Sequence, residues 1–185
     1  MAKTLPAGVD LKDVVIGFQD ESRIGQQGST TRMWAKQGTR PCAIKQKQFI
    51  SANIFGVVCP AQDSSFALIL PDKDTEMMQL FLDEFSKTIP AGKHVALITD
   101  RAGWHITQYL KTPKNISFVF LPPYSPELNS IEQLWQQLKQ KYLSNRCFKN
   151  YKEILSSVSS AWKAFTSVSG TIESLCSRSW ATLVD

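Results

Sequence analysis

No apolar stretch in this sequence approaches the roughly 18–20 residues a membrane-crossing helix needs; the best candidates are FALIL and FVFL. Helical membrane spans are therefore not expected. The opening residues, MAKTLPAGVDLKD, hold no apolar signal core, so nothing in them marks the chain for export. Cysteine and histidine are scarce. The four cysteines (Cys42, Cys59, Cys147, Cys176) form no CxxC pair, and the histidines are His94 and His105. A zinc site is not expected, and a reduced intracellular compartment is the simpler setting. A chain of 185 residues can bury a core without disulfide staples. Internal repeats and low-complexity tracts are also missing, which sets aside repeat arrays and disordered linkers.

Acidic residues are absent from two stretches. Between Glu21 and Asp63 the charged residues are Arg23, Arg32, Lys36, Arg40, Lys45 and Lys47. Between Glu132 and Glu153 they are Lys139, Lys141, Arg146, Lys149 and Lys152. With a net charge of +5, two acid-free basic stretches suit a polyanion such as DNA. A solvated basic surface is the plain alternative.

What is present reads as an α/β chain. VVIGFQDES is apolar on both faces of a strand ending near Asp20. RIGQQGSTTR is turn material. TRMWAKQG, CAIKQKQFI and SANIFGVVC read as antiparallel strands joined by short loops, and FALILP as another strand. Then the period changes. Met78, Phe81, Leu82, Phe85 and Ile89 recur at helical spacing, with Asp74 and Glu76 in the first turn. VALITD is a strand, HITQYLK a short helix stopped by Pro113, and ISFVFLP a strand. A helix follows from about Ser130 to Leu143, and a last amphipathic helix carries Ile154, Leu155, Val158, Ala161, Trp162 and Phe165. Successive strands followed by alternating helices and strands predict a mixed central sheet flanked by helices, an order shared by the ribonuclease-H-like fold among others.

Three acids stand out. Asp20 and Asp100 terminate apolar strands, where a carboxylate is costly unless something offsets its desolvation. An Asp at a strand end also starts turns, so each alone has a bland explanation. Glu132 sits just inside a helix, after a loop stiffened by Pro122, Pro123 and Pro126. It lies on the flank of the stripe Leu128, Ile131, Leu134, Trp135, Leu138 and Tyr142. The structural alternative is a capping box, with Asn129 as N-cap and Glu132 reaching back. A rigid loop also fixes a ligand in place. Together the three carboxylates would suit Mg²⁺ or Mn²⁺. Two such ions about 3.5–4 Å apart can clamp both oxygens of an in-line phosphoryl displacement. Trp34 and Trp135 read as packing residues, Glu127 as a solvated loop acid, and Glu21 as the less favoured rival of Asp20.

The segments QDES (19–22), MWAKQGTRP (33–41), LITDRAGWH (97–105) and LPPYSPELNSIEQLWQQLK (121–139) carry a family likeness. Over about residues 12–150 the chain resembles the catalytic domain of DDE transposases of the mariner superfamily, in their bacterial insertion-sequence branch. Asp20, Asp100 and Glu132 fall on that family's Asp-Asp-Glu triad. Thirty-one residues separate the last two, slightly fewer than is usual there. Arg101 stands where the family usually has Asn, and residues 151–185 match no family segment.

The resemblance implies an α/β, ribonuclease-H-like fold. Residues 1–11 read as a tail and 12–185 as the catalytic domain, with closing helices from 151; the helix-turn-helix module that the family normally carries before this domain is not expected in this sequence, a departure that a split reading frame or a truncated product would explain. The resemblance also implies Mg²⁺- or Mn²⁺-dependent cleavage at transposon ends and strand transfer by a 3′-hydroxyl, with two ions held by the triad. The partners would be double-stranded DNA and a second copy in a synaptic dimer, in the bacterial cytoplasm at the nucleoid. Arg32, Lys36, Arg40, Lys45, Lys47, Arg101, His105 and Lys139 are the expected DNA contacts. For His105 an active-site-edge or helix-capping place is equally open. A non-catalytic DNA-binding remnant and a stand-alone ribonuclease-H-like nuclease are the alternatives.

Overall fold

VVIGFQ is apolar on both sides, and a strand covered from both sides hides such a run best. It forms the first half of β1 (Val14–Gly25), the middle strand of a five-stranded sheet in the order β3-β2-β1-β4-β5. The computed structural model describes residues 5–6, 8–42 and 44–181. β2 (Ser51–Cys59) pairs antiparallel with β1, and β3 (Ser64–Leu70) antiparallel with β2. β4 (His94–Thr99) and β5 (Ile116–Phe120) extend the other side in parallel. All six residues of β4 are buried, as expected of a parallel strand with both faces covered.

One face is closed by α1 (Thr75–Thr88). The carboxylate of Asp74 caps it by accepting from the Met77 amide at 2.8 Å. Met78, Phe81, Leu82 and Phe85 pack onto Phe55, Val57 and Leu97, each burial contributing roughly 1.5–3 kcal/mol. The short α2 (Gly103–Ile106) lies between β4 and β5 in the chain. The opposite face is covered by α3 (Ile131–Leu138), which continues into a π turn at Lys139–Leu143, by α4 (Tyr151–Thr166) and by α5 (Thr171–Cys176). Ile131, Leu134, Trp135 and Leu138 join Phe18, Ile54, Ile98, Ile154 and Val158 in that core.

Three expectations need correction. TRMWAKQG and CAIKQKQFI form no strand; between β1 and β2 the chain runs as an irregular arm, in which Ala43 lies outside the described residues. Alternation makes a strand only when one face is covered. Here Met33, Trp34, Ile44, Phe49 and Ile50 are all exposed, so nothing rewards pairing. The arm is held near its base. Asn145 bonds both the N–H and the carbonyl of Thr31 at 3.1 Å, and the Gln46 side chain brackets the Phe148 backbone. Second, β1 does not stop near Asp20 but continues to Gly25, because β2 keeps pairing with it. Third, the helix expected at HITQYLK is instead a single turn, Gly103–Ile106; it begins earlier and ends before Thr107, whose extended backbone stops it. Asp100 Oδ1 accepts from the Ala102 amide at 2.9 Å and starts the turn immediately.

Of the expected tail, residues 1–4 and 7 lie outside the described residues, as do residues 182–185 of the closing segment. The four cysteines are unpaired. Among the described residues, no helix is long and apolar enough to cross a membrane.

Candidate active site

The site begins where two parallel strands part. β1 and β4 stay paired only as far as Phe18 and Ile98. Beyond that point β1 runs on beside β2 alone, with Asp20 opposite Gly56. β4 ends at Thr99, and Asp100 follows at once. A crevice at the carboxyl ends of parallel strands is the usual ligand position in an open α/β sheet. Asp20, Asp100 and Glu132 all line this cleft, about 460 Å³ in volume, together with Arg101, Leu121 to Pro126 and Asn129.

The proline-rich loop bridges the two acid-bearing strands. At its start the Leu121 amide donates to the Thr99 carbonyl at 2.9 Å. At its end the Asn129 side-chain amide donates to the Gln19 carbonyl at 2.9 Å, one residue before Asp20. The loop is thereby tied beside both aspartates, and α3 begins from that fixed point. Tyr124 takes a positive φ of 57° between the prolines and is fully exposed. The capping box considered for Asn129 and Glu132 does not form. Asn129 is spent on β1, and Ser130 is the N-cap without a side-chain bond. The corresponding device appears one helix later: Asn150 Oδ1 accepts from the Glu153 amide, and Glu153 Oε2 from the Lys149 amide. Glu153 serves its helix, whereas Glu132 is left facing the cleft.

Each carboxylate has a distinct setting. Burial, then the charges of Glu132 and Glu21, push Asp20 up to about 7, against the opposing bond from Trp135. That bond runs from Trp135 Nε1 to Asp20 Oδ2 at 3.0 Å. The indole reaches it by lying over Gly56, where a Cβ would meet ring carbon Cη2 at 2.6 Å. The bond from His105 is the main influence holding Asp100 below the usual carboxylate range. His105 Nδ1 stands 2.8 Å from Asp100 Oδ1, and Nε2 stands 3.0 Å from Glu21 Oε1. Burial pulls His105 down, but its bonds to Asp100 and Glu21 prevail and lift it to about 9.

The sequence profile of the family described as DDE superfamily endonuclease matches residues 15–155. The chain belongs to the DDE superfamily endonucleases. The y4pE/y4sA protein of Sinorhizobium fredii (strain NBRC 101917 / NGR234), itself described as uncharacterized, is 45% identical over 130 residues, or 70% of this chain and 96% of its own length. Among solved structures, the Mos1 mariner paired end complex with Mn aligns at a TM-score of 0.65 and 15% identity, over 89% of this chain and 51% of that one. The pre-cleavage Mos1 transpososome aligns at 0.64 and 14% identity, over 88% and 51%. At such identity the likeness speaks for the fold, which is ribonuclease-H-like, and this DDE chain spans about half the length of the Mos1 chains.

The donor chemistry of the cleft suits a hard divalent cation: three carboxylates border one open space with room for water ligands. Among the described residues, no three His, Cys, Asp or Glu side chains are already gathered into a finished metal cage. Mg²⁺ commonly takes one or two carboxylates and retains water, so an open arrangement fits it.

The other expected contacts scatter. Arg101 lines the cleft and sits over the Phe120 ring at 5.9 Å. Lys139, half-buried, is close enough to feel the charges of Glu132 and Asp20. Arg32, Lys36, Arg40, Lys45 and Lys47 are exposed on the irregular arm. His105 is not on a DNA-facing surface: its side chain is 0% exposed and enclosed by carboxylates, which places it behind the site. Trp34, expected to pack, is fully exposed, whereas Trp135 is buried as expected. Sequence reasoning missed the Trp135 bond to Asp20, although the i,i+3 spacing from Glu132 hinted at a shared helix flank. It also missed Lys73, whose charge reaches both Asp100 and Lys139; nothing in its DKD setting marks it.

Proposed function

We propose that this DDE superfamily member is the catalytic domain of an insertion-sequence transposase. On this reading it cleaves DNA at transposon ends and joins the freed 3′-hydroxyl to target DNA, with Mg²⁺ or Mn²⁺ as cofactor. The observation that carries the reading is the convergence of Asp20, Asp100 and Glu132 on one cleft where β1 and β4 diverge. Asp100, held ionised, and Glu132, free of any capping duty, present oxygen ligands to the same cleft as Asp20. Trp135 fixes one oxygen of Asp20. Divalent ions bound by these three would supply Lewis-acid activation of the nucleophile and stabilise the leaving oxygen. They would also relieve the repulsion between Asp20 and Glu132. Arg101, Lys139 and Lys73 place positive charge at the rim, where it would steer and seat a phosphate backbone. The exposed basic arm would extend that contact along the duplex. The Mos1 structures are described as paired-end and strand transfer complexes and include crystals with Mn and with Mg. The family resemblance extends the proposal to a synaptic dimer and to a helix-turn-helix module encoded separately or joined by frameshifting.

The test is Mn²⁺-dependent nicking of a duplex carrying the terminal sequences of its element. Asp20→Asn, Asp100→Asn and Glu132→Gln should each lower the rate by roughly 10³-fold or more, the loss expected when several kcal/mol of charge stabilisation is removed. Undiminished nicking by Asp100→Asn would sink the triad.

A further inference from the structure

Successive residues of β1 point to opposite faces of the sheet. Asp20 lies on the α3 side and Glu21 on the α1 and α2 side. Glu21 is thus not a spare ligand for the cleft. Its Oε1 accepts from His105 Nε2 at 3.0 Å and from Gln19 Nε2 at 2.8 Å, and its Oε2 from Trp104 Nε1 at 3.3 Å. Gln19 is braced in turn, its Oε1 accepting from the Thr99 hydroxyl at 2.7 Å. The Glu21 side chain is 4% exposed, yet among the described residues no lysine or arginine pairs with it. A buried carboxylate is expensive, and an apolar residue of similar size commonly packs as well or better. Fold stability is therefore a poor reason for Glu21.

A better reason lies on the far side of the imidazole. The His105 ring stands between two carboxylates, Nε2 at 3.0 Å from Glu21 Oε1 and Nδ1 at 2.8 Å from Asp100 Oδ1. Its Nδ1 holds Asp100 Oδ1, which also accepts from the Ala102 amide. Asp100 Oδ2 has no hydrogen-bond partner among the described residues, and the side chain, 60% exposed, lines the cleft. One oxygen is clamped from behind and the other is left available.

We propose that Glu21 and His105 form a positioning pair that orients Asp100 as a ligand for the divalent cations, Glu21 acting through the imidazole from the opposite face of the sheet. The QDES segment then serves one site from both sides: Asp20 directly, Glu21 at one remove. The inference rests on the reading of Asp20, Asp100 and Glu132 as the metal-holding carboxylates. Outer partners of this kind typically change metal affinity by roughly 10–100-fold when removed.

The test uses the full chain and Mn²⁺ alone, with free Mn²⁺ followed by electron paramagnetic resonance and folding checked by thermal melting. His105→Phe, which keeps a ring but no donor, should weaken Mn²⁺ binding by about tenfold or more. Glu21→Gln, nearly isosteric and uncharged, should do the same. His105→Asn, whose amide can reach the Nδ1 position, should recover part of the loss. In nicking assays the variants should lower kcat while leaving KM for DNA unchanged. Folded His105→Phe and Glu21→Gln proteins with wild-type Mn²⁺ affinity and kcat would overturn the pair; if His105→Phe does not fold, Glu21→Gln decides. If Asp20→Asn and Glu132→Gln weaken Mn²⁺ binding while the pair variants do not, the positioning role alone falls. If Asp20→Asn, Asp100→Asn and Glu132→Gln all leave Mn²⁺ binding intact, the metal reading falls and the pair with it.

Discussion

Side chains one position apart do unlike things in this protein, and small ones set where large ones sit. Gly56 is the example. It faces Asp20 across the β1–β2 ladder, and its missing Cβ is the space occupied by the Trp135 indole. Gly56→Ala would put a methyl 2.6 Å from a ring carbon that cannot swing away without leaving a well-packed core. We expect a loss of about 1–3 kcal/mol, the usual cost of overpacking, read as a lowered midpoint in urea unfolding. The same substitution should pull the indole N–H off Asp20. An unchanged midpoint would mean the ring is not over the glycine. Trp135 therefore has two roles, packing and donation, and only the first was legible from its place in an apolar stripe.

Among the elements, the connections carry the site and the helices close it. The loop from Leu121 to Asn129 is stiff because three prolines and two long-range hydrogen bonds constrain it, so α3 starts in a defined place beside both aspartates. At the other end of the molecule Asp63, in the left-handed conformation (φ 45°), latches α5. Its carboxylate accepts from the Gly170, Ile172 and Glu173 amides. Those bonds hold Asp63 below its ordinary value of 3.8. A depressed carboxyl contributes stability that is present above the unfolded-state value and lost as pH falls through the folded-state value. Wild type should accordingly melt above Asp63→Asn at pH 7, and the gap should close as pH falls well below 3.8. Hydrogen exchange at residues 170–176 should quicken in the variant at neutral pH. An equal gap at both pH values would show that the latch does not depend on ionisation.

Taken as a whole, the molecule separates its charges. Asp20, Asp100 and Glu132 border the cleft, while an acid-free arm projects Arg32, Lys36, Arg40, Lys45 and Lys47 into solvent. Each phosphate neutralised by such a residue releases condensed counterions, so DNA affinity should fall linearly with the logarithm of salt concentration. Lys45→Gln with Lys47→Gln should flatten that slope by roughly 0.9 for every phosphate left without its cation, as measured by fluorescence anisotropy across a salt series. A slope that does not move would take the arm out of the DNA interface.

Local pattern was enough for much of this protein. The sheet strands VVIGFQ, SANIFGVVC, FALIL, VALIT and ISFVF, and helices α1, α3 and α4, follow from two-sided apolar runs and helical periodicity. Asp20 and Asp100 could be named as acids ending apolar strands and Glu132 as the acid that follows the proline-stiffened loop, but the family resemblance is what joined them into one set. The irregular arm could not be foreseen, since alternation alone does not say whether a second layer will cover one face. Nor could the capping outcome, because Asn129 had a local partner in Glu132 and a distant one in the Gln19 carbonyl, and the distant one won. The Glu21–His105–Asp100 chain joins residues some eighty positions apart through one buried ring. Such meetings depend on where β1 and β4 part and on which face each side chain takes, and strand register settles both only once the sheet has assembled.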